Sequence, residues 1–172
     1  MNYKTKLSGI KLFAFDYDGV FTNGTVYLMP DGSMARTASA RDGFAVQWAV
    51  KQGLNLAVVS GGKDEPVRWR MEKLGLTEVH LGADDKLAKL EEISERTGIA
   101  LSEMAYMGDD MPDLKALEAV GLSCCPFDAV QEVRAVVDWV VPEAGGEGCV
   151  RNLLEQAMKL RGLWDSREGH RW

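Results

Sequence analysis

The segment Ile10-Lys11-Leu12-Phe13-Ala14-Phe15 runs straight into Asp16-Tyr17-Asp18-Gly19. A short apolar run that stops abruptly at acids and a glycine reads as a buried strand ending in a polar turn. The same unit recurs along the chain. Leu54–Ser60 is a strand ending in Ser60-Gly61-Gly62, and Met104–Met107 is a strand followed by Gly108-Asp109-Asp110. Between and after these lie further strands at Glu78–Leu81, Gly121–Cys124 and Asp138–Val141.

Helix-period segments separate them. The spacing predicts helices over 42–52, with Asp42 as N-cap, over Pro66–Leu74, stopped by Gly75, and over Asp84–Thr97, closed by Gly98. Asp110–Val120, Val130–Val136 and Glu147–Leu163 complete the set. Strand–helix alternation at this spacing indicates an α/β fold, a doubly wound, mostly parallel sheet of Rossmann-like form. The exception is Thr22–Ser39, where Pro30-Asp31-Gly32 sits between extended segments. It reads as a β-hairpin inserted after strand one.

Composition narrows the class. The chain has 172 residues, which suits one domain over 1–172, with 22–39 as the hairpin and 164–172 as a tail. The formal charge of −6 argues against a nucleic-acid surface or a basic membrane patch. The three cysteines, Cys124, Cys125 and Cys149, are wrongly spaced for a disulfide framework or a zinc site, and a reducing, cytoplasmic compartment is expected. The Trp residues are too scattered for a stacking surface. His80 and His170 read neither as catalytic groups nor as ligands.

In doubly wound sheets the ligand crevice lies at the carboxyl ends of the strands. Asp16 and Asp18, Ser60 with two glycines, Lys86, and Asp109, Asp110 and Asp113 all collect there. Each cluster has a plain structural reading: a tight turn, a strand-to-helix loop, a solvated helix face, a helix start enriched in acids. Together they supply what phosphoryl transfer needs. Two carboxylate clusters converging in a partly desolvated crevice repel one another, so a divalent cation is the natural resident.

The order DYDG, SG, K, GDDxxD resembles the four motifs of the haloacid dehalogenase superfamily of phosphatases. The Thr22–Ser39 insert, the SGG step, the GADDKL segment and the late GGEGCVRN run are similar to those of its 3-deoxy-D-manno-octulosonate (KDO) 8-phosphate phosphatases, which act in lipopolysaccharide sugar synthesis. The resemblance implies that Asp16 is a nucleophile, Asp18 a general acid and base, and Lys86 a charge on both phosphate and nucleophile. It implies Mg²⁺ held by Asp16, Asp109 and the backbone carbonyl of Asp18, phosphate held by Ser60 and Gly61, and Asp113 orienting Lys86 or metal-bound water. It also implies a homotetramer in which each hairpin covers a neighbour's site, a role that Val26, Tyr27, Leu28 and Met29 fit.

Binding of a carboxylated sugar needs cations, and Lys63, Arg68, Arg70 and Lys73 on the helix after SGG, with Arg151, are the candidates. Many members carry Arg at the position of Gly62, and a sister subgroup acting on nonulosonate 9-phosphates tends to have Glu. Gly62 matches neither, though two glycines followed by the basic Lys63, with CCPFDAV and GLW near the end, look more like the KDO branch. That sister activity stays open, as do two other classes: a receiver-type phospho-acceptor domain and a catalytically idle assembly module. A receiver carries its phospho-acceptor mid-sequence, whereas DYDG lies at strand one. An idle module has no reason to keep Asp16, Asp18, Lys86 and Asp109 together.

Overall fold

A computed structural model describes residues 2–165; residues 166–172, with His170 and most of the expected tail, lie outside the described residues. In chain order the elements are α1 (Tyr3–Ser8), β1 (Leu12–Phe15), β2 (Val26–Leu28), β3 (Met34–Arg36), α2 (Ala40–Lys51), β4 (Asn55–Ser60), α3 (Glu65–Lys73) and β5 (Glu78–Leu81). They continue with α4 (Lys86–Thr97), β6 (Met104–Met107), α5 (Leu114–Ala119), β7 (Leu122–Cys125), α6 (Gln131–Val136), β8 (Trp139–Val140) and α7 (Cys149–Leu160). Six strands form one parallel sheet in the order β5-β4-β1-β6-β7-β8, and β2 and β3 pair antiparallel as a separate ribbon.

The run around β1 is apolar throughout because both faces of the sheet are covered. Side chains alternate across a strand. Phe13 and Phe15 therefore enter one core with Val58, Met107, Val46 and Leu153, while Leu12 and Ala14 enter the other with Val59, Tyr106, Leu90 and Leu117. Lying mid-sheet between β4 and β6, β1 delivers its carboxyl end to the centre of one edge. The expected doubly wound fold with a hairpin after strand one is the fold observed.

Several boundaries move for identifiable reasons. Helix α1 is not anticipated; it has Leu7 alone buried and is anchored by Tyr3 stacked on Trp139 at 4.1 Å and Lys6 paired with Asp138 at 2.5 Å. Helix α2 begins at Ala40 because Ser39, not Asp42, is its N-cap, the Ser39 hydroxyl accepting from the Asp42 N–H at 3.3 Å. The helix expected over Asp84–Thr97 starts at Lys86, capped by Asp85. The one expected over Asp110–Val120 is split into a 3₁₀ turn, Met111–Asp113, and α5. Helix α7 is shorter than the expected Glu147–Leu163 because Gly146 and Gly148 before it, and Gly162 after it, hold positive φ. No helix among the described residues is long and apolar enough to cross a membrane.

The hairpin stands clear of both cores. Val26, Tyr27, Met29 and Met34 are exposed, and Leu28 is 81% exposed. A lone two-stranded ribbon with this apolar surface is marginal in water.

Asp42 has a different job from the one its position suggests. It is fully buried, and its Oδ1 accepts from the Arg151 N–H at 2.7 Å, in the first turn of α7. The N-cap of α7 is Gly148, which offers no side chain, so a carboxylate on α2 caps a helix more than a hundred residues later. Burial raises the Asp42 pKa against the donors around it. Replacement by Ala is expected to lower stability by about 1–2 kcal/mol, seen as a lower urea midpoint at unchanged slope, with Asn recovering part of the loss.

Candidate active site

The carboxyl ends of β1, β4, β5 and β6 enclose a cavity of about 470 Å³ that is lined by Asp16, Asp18, Ser60, Gly61, Gly62, Lys86, Asp109 and Asp113. The loop after β1 is held by Thr22, whose buried hydroxyl oxygen accepts from the N–H groups of Gly19 and Gly24, both at 3.1 Å. Gly19 has φ +80°, and a Cβ there would fall 2.0 Å from Asp109 Oδ2, so only glycine lets the two acidic loops close on one another. The Ser60–Gly62 loop is stitched to the end of β5: the Ala83 N–H donates to Ser60 O at 2.9 Å and the Gly82 N–H to Gly62 O at 2.8 Å.

Asp113 organises the floor. It is fully buried and accepts four hydrogen bonds. Oδ1 takes Lys86 Nζ and the Tyr106 hydroxyl, both at 2.6 Å; Oδ2 takes the N–H groups of Asp109 at 3.1 Å and Asp110 at 3.2 Å. A carboxylate has about four acceptor positions, and all are used. Lys86 Nζ, thus aimed, also lies 2.9 Å from Asp16 Oδ2.

Three buried or half-buried carboxylates face one ammonium. Burial, then the charge of Asp113, raises the Asp16 pKa to about 6 against the pull of Lys86. Burial, then the charges of Asp16 and Asp113, raises Asp109 to about 7. Burial alone would lower Lys86, but Asp16 and Asp113 outweigh it and the net shift is upward. Tyr106 is pushed well above its ordinary value by burial and by Asp113, so it remains a donor.

Oxygens of Asp16, Asp109 and Asp113 lie within 4.8 Å of one another. Because Asp113 is saturated, Asp16 and Asp109 are the pair with lone pairs to spare, and no described residue donates a hydrogen bond to the Asp109 carboxylate. This all-oxygen, excess-negative donor set suits a hard divalent cation that keeps several waters.

Comparison with known proteins agrees with this geometry. Residues 69–153 match the family model described as haloacid dehalogenase-like hydrolase. The chain is 32% identical to the 3-deoxy-D-manno-octulosonate 8-phosphate phosphatase KdsC of Salmonella typhi over 165 residues, covering 96% of this chain and 88% of that protein. The chain belongs to the haloacid dehalogenase-like hydrolases.

Two solved structures of this family bear on the site. One is the Moraxella catarrhalis 3-deoxy-D-manno-octulosonate 8-phosphate phosphatase in complex with magnesium ion, phosphate ion and KDO. It matches with a TM-score of 0.88 at 34% identity, covering 91% of this chain and 90% of that one. The other is the cobalt-bound form of the Haemophilus influenzae enzyme, with a TM-score of 0.89 at 30% identity, covering 95% and 98%.

As a haloacid dehalogenase-like hydrolase, the chain brings its four motifs to one cavity, but not the cations expected to read the sugar. Lys63 packs along Gly82, and Lys73 lies 3.8 Å over the Trp69 ring on the outer side of α3. Arg70 reaches back to the Ser39 carbonyl at 3.5 Å, and Arg68 donates to Val79 O at 2.7 Å. Arg151 pairs with Glu155 at 3.2 Å and lies over Phe44 and Trp164. Arg68, Arg70, Lys73 and Arg151 have each found a partner within the protomer, and none of the five lines the cavity. A second cleft of similar size, beside Arg41 and Arg151, is also lined by Glu143, Glu147 and Glu155, so its charges oppose one another.

Two site residues escape sequence reasoning. Tyr106 could have been found as the one polar side chain inside the Met104–Met107 strand. Arg36 carries no local signal; it reaches the site only because the hairpin folds back over Asp18.

Linkage fixes the pH behaviour of this cluster. From about pH 4 to about 7 the folded, metal-free protein retains protons on Asp16 and Asp109 that the unfolded chain has lost, so stability falls as pH rises through that window. Urea midpoints of chelator-treated protein are expected to drop from pH 5 to pH 7.5, and Asp109→Asn to flatten the slope.

Proposed function

We propose that this protein is a Mg²⁺-dependent phosphomonoesterase that hydrolyses KDO 8-phosphate to KDO and phosphate, in lipopolysaccharide sugar synthesis. The observation that carries the reading is the Asp16–Lys86–Asp113 relay facing Asp109 in the cavity that also holds Ser60 and Asp18. It is supported by relatives and solved neighbours that are themselves named for this activity.

Asp16 is the nucleophile. Its carboxylate oxygen attacks phosphorus in line, the bond from phosphorus to the sugar oxygen breaks, and the electron pair leaves on that oxygen. Asp18 donates the proton that completes the sugar hydroxyl. A water then attacks the aspartyl-phosphate and gives its proton to Asp18; phosphate departs and the Asp16 carboxylate is restored. The Ser60 hydroxyl and the Gly61 N–H hold phosphate oxygens, with Gly62 keeping the approach open. Lys86, fixed by Asp113, keeps Asp16 aimed and meets the charge on phosphate. Asp16, Asp109 and the Asp18 carbonyl would hold Mg²⁺, which when bound offsets the repulsion between the nucleophile and the phosphate dianion.

Asp16→Asn is expected to abolish phosphate release from KDO 8-phosphate, and a chelator to do the same reversibly. The ratio of kcat/KM values on KDO 8-phosphate and on nonulosonate 9-phosphates separates the two sugar readings. A parent that releases no phosphate from either, or Asp16→Asn with near-normal turnover, overturns the assignment.

The exposed apolar hairpin gives the lid. Val26, Tyr27, Leu28 and Met34 are surfaces that a homotetramer would bury, each hairpin covering the next subunit's cavity and bringing the sugar its missing contacts. Three unpaired, buried cysteines fit a reducing, cytoplasmic compartment. Sedimentation is expected to give a tetramer. Leu28→Asp should dissociate it and lower kcat/KM on the sugar phosphate; a fully active monomeric parent would exclude the shared lid.

A further inference from the structure

The far strand of the hairpin reaches the loops after β1 and β4 of its own protomer through Arg36. Arg36, the last residue of β3, is largely buried. Its Nε donates to Asp18 Oδ1 at 2.7 Å, and its Nη1 lies 2.9 Å from Asp64 Oδ2. Asp64 is the N-cap of α3, yet its side chain makes no capping hydrogen bond. A carboxylate placed to satisfy a helix terminus is turned instead toward the guanidinium. The fork of Arg36 thus ties three loops together: the one after β1, the one after β4, and the base of the hairpin.

This tie divides the two oxygens of Asp18. Oδ1 is held by Arg36, whereas Oδ2 takes no donor among the described residues and lies 3.7 Å from the position a Cβ on Gly62 would occupy. Gly62 and Ser60 line the cavity on that side. Building on the phosphatase reading, we infer that Arg36 is a positioning residue for proton transfer: it fixes Asp18 so that Oδ2, and not Oδ1, exchanges the proton with the sugar oxygen and then with water. A guanidinium is planar and keeps its charge throughout, so it can hold one oxygen in place while the other gains and loses a proton. The atom balance is that of the phosphatase cycle, with the proton now assigned to one atom.

The leaving group supplies the test. A sugar alkoxide is strongly basic and needs its proton as the bond breaks, whereas p-nitrophenolate is weakly basic and leaves without one. Arg36→Met is expected to lower kcat on KDO 8-phosphate by about 10²-fold, the scale of a misplaced catalytic group, with KM changed little. The loss in kcat/KM, which reads the step in which the leaving group departs and not the water step common to both substrates, should be at least tenfold smaller on p-nitrophenyl phosphate, and Arg36→Lys should recover part of the sugar-phosphate activity. Asp64→Ala, which loosens the guanidinium without removing it, should show the same split at smaller size.

Adding Arg36→Met to Asp18→Asn should cost nothing further on the sugar phosphate, because both act on one proton. Equal losses in kcat/KM on the two substrates, additive losses in the double variant, or a rise in KM on the sugar phosphate in place of a fall in kcat would each overturn the inference. Parent protein idle toward both substrates would instead overturn the phosphatase reading itself.

Discussion

The site is built around a carboxylate with nothing left to give. Asp113 accepts from Lys86, Tyr106 and two consecutive backbone N–H groups, and these four donors serve three separate ends. Lys86 is steered to Asp16, the Asp109–Asp110 turn is fixed, and β6 is keyed to α4 through Tyr106. A buried charge pair of this kind is not a stability device, since desolvation offsets most of its attraction. Its value lies in geometry. The negative charge that Asp113 adds beside Asp16 and Asp109, which raises the pKa of both, is also what makes the cavity receptive to a cation.

Glycine sets how closely the pieces approach. A side chain at Gly19 would occupy the space of the Asp109 carboxylate, and one at Gly108 would lie 2.4 Å from Asp113 Cγ. The two acidic motifs can therefore share one centre only through residues without a Cβ. The hairpin follows a different logic. It contributes Arg36 inward, onto Asp18 and Asp64, and leaves an apolar face exposed outward.

Much of this was legible in the residues alone. Apolar runs ending in acids or Ser-Gly-Gly place the strands and their functional ends, because buried parallel strands must be apolar on both faces and their termini need not be. Asp16, Ser60, Lys86, Asp109 and Asp113 converge as the motifs imply. What escaped is whatever depends on contacts between distant segments. Asp42 looks like a cap for its own helix and caps another; Arg36 sits in an unremarkable stretch and acquires its partners only when the ribbon folds back. The surface cations failed for the opposite reason. Arg68, Arg70, Lys73 and Arg151 carry suitable charge, but carbonyls, aromatic rings or a carboxylate nearer at hand engage them first.

The cap that Asp42 places on α7 has a bearing on how the protein is made. The loop before α7 lies backbone against backbone on the loop after β1: a Cβ on Gly145 would sit 2.0 Å from Gly19 O, and the Gly146 N–H donates to Val20 O at 2.9 Å. The turn carrying Asp16 and Asp18 leaves the ribosome more than a hundred residues before the loop at Gly145 and Gly146 that backs it. A nascent chain that has completed the sheet still lacks the support that holds its catalytic turn in place. Assembly of the centre is thereby deferred until the loop before α7 has also emerged.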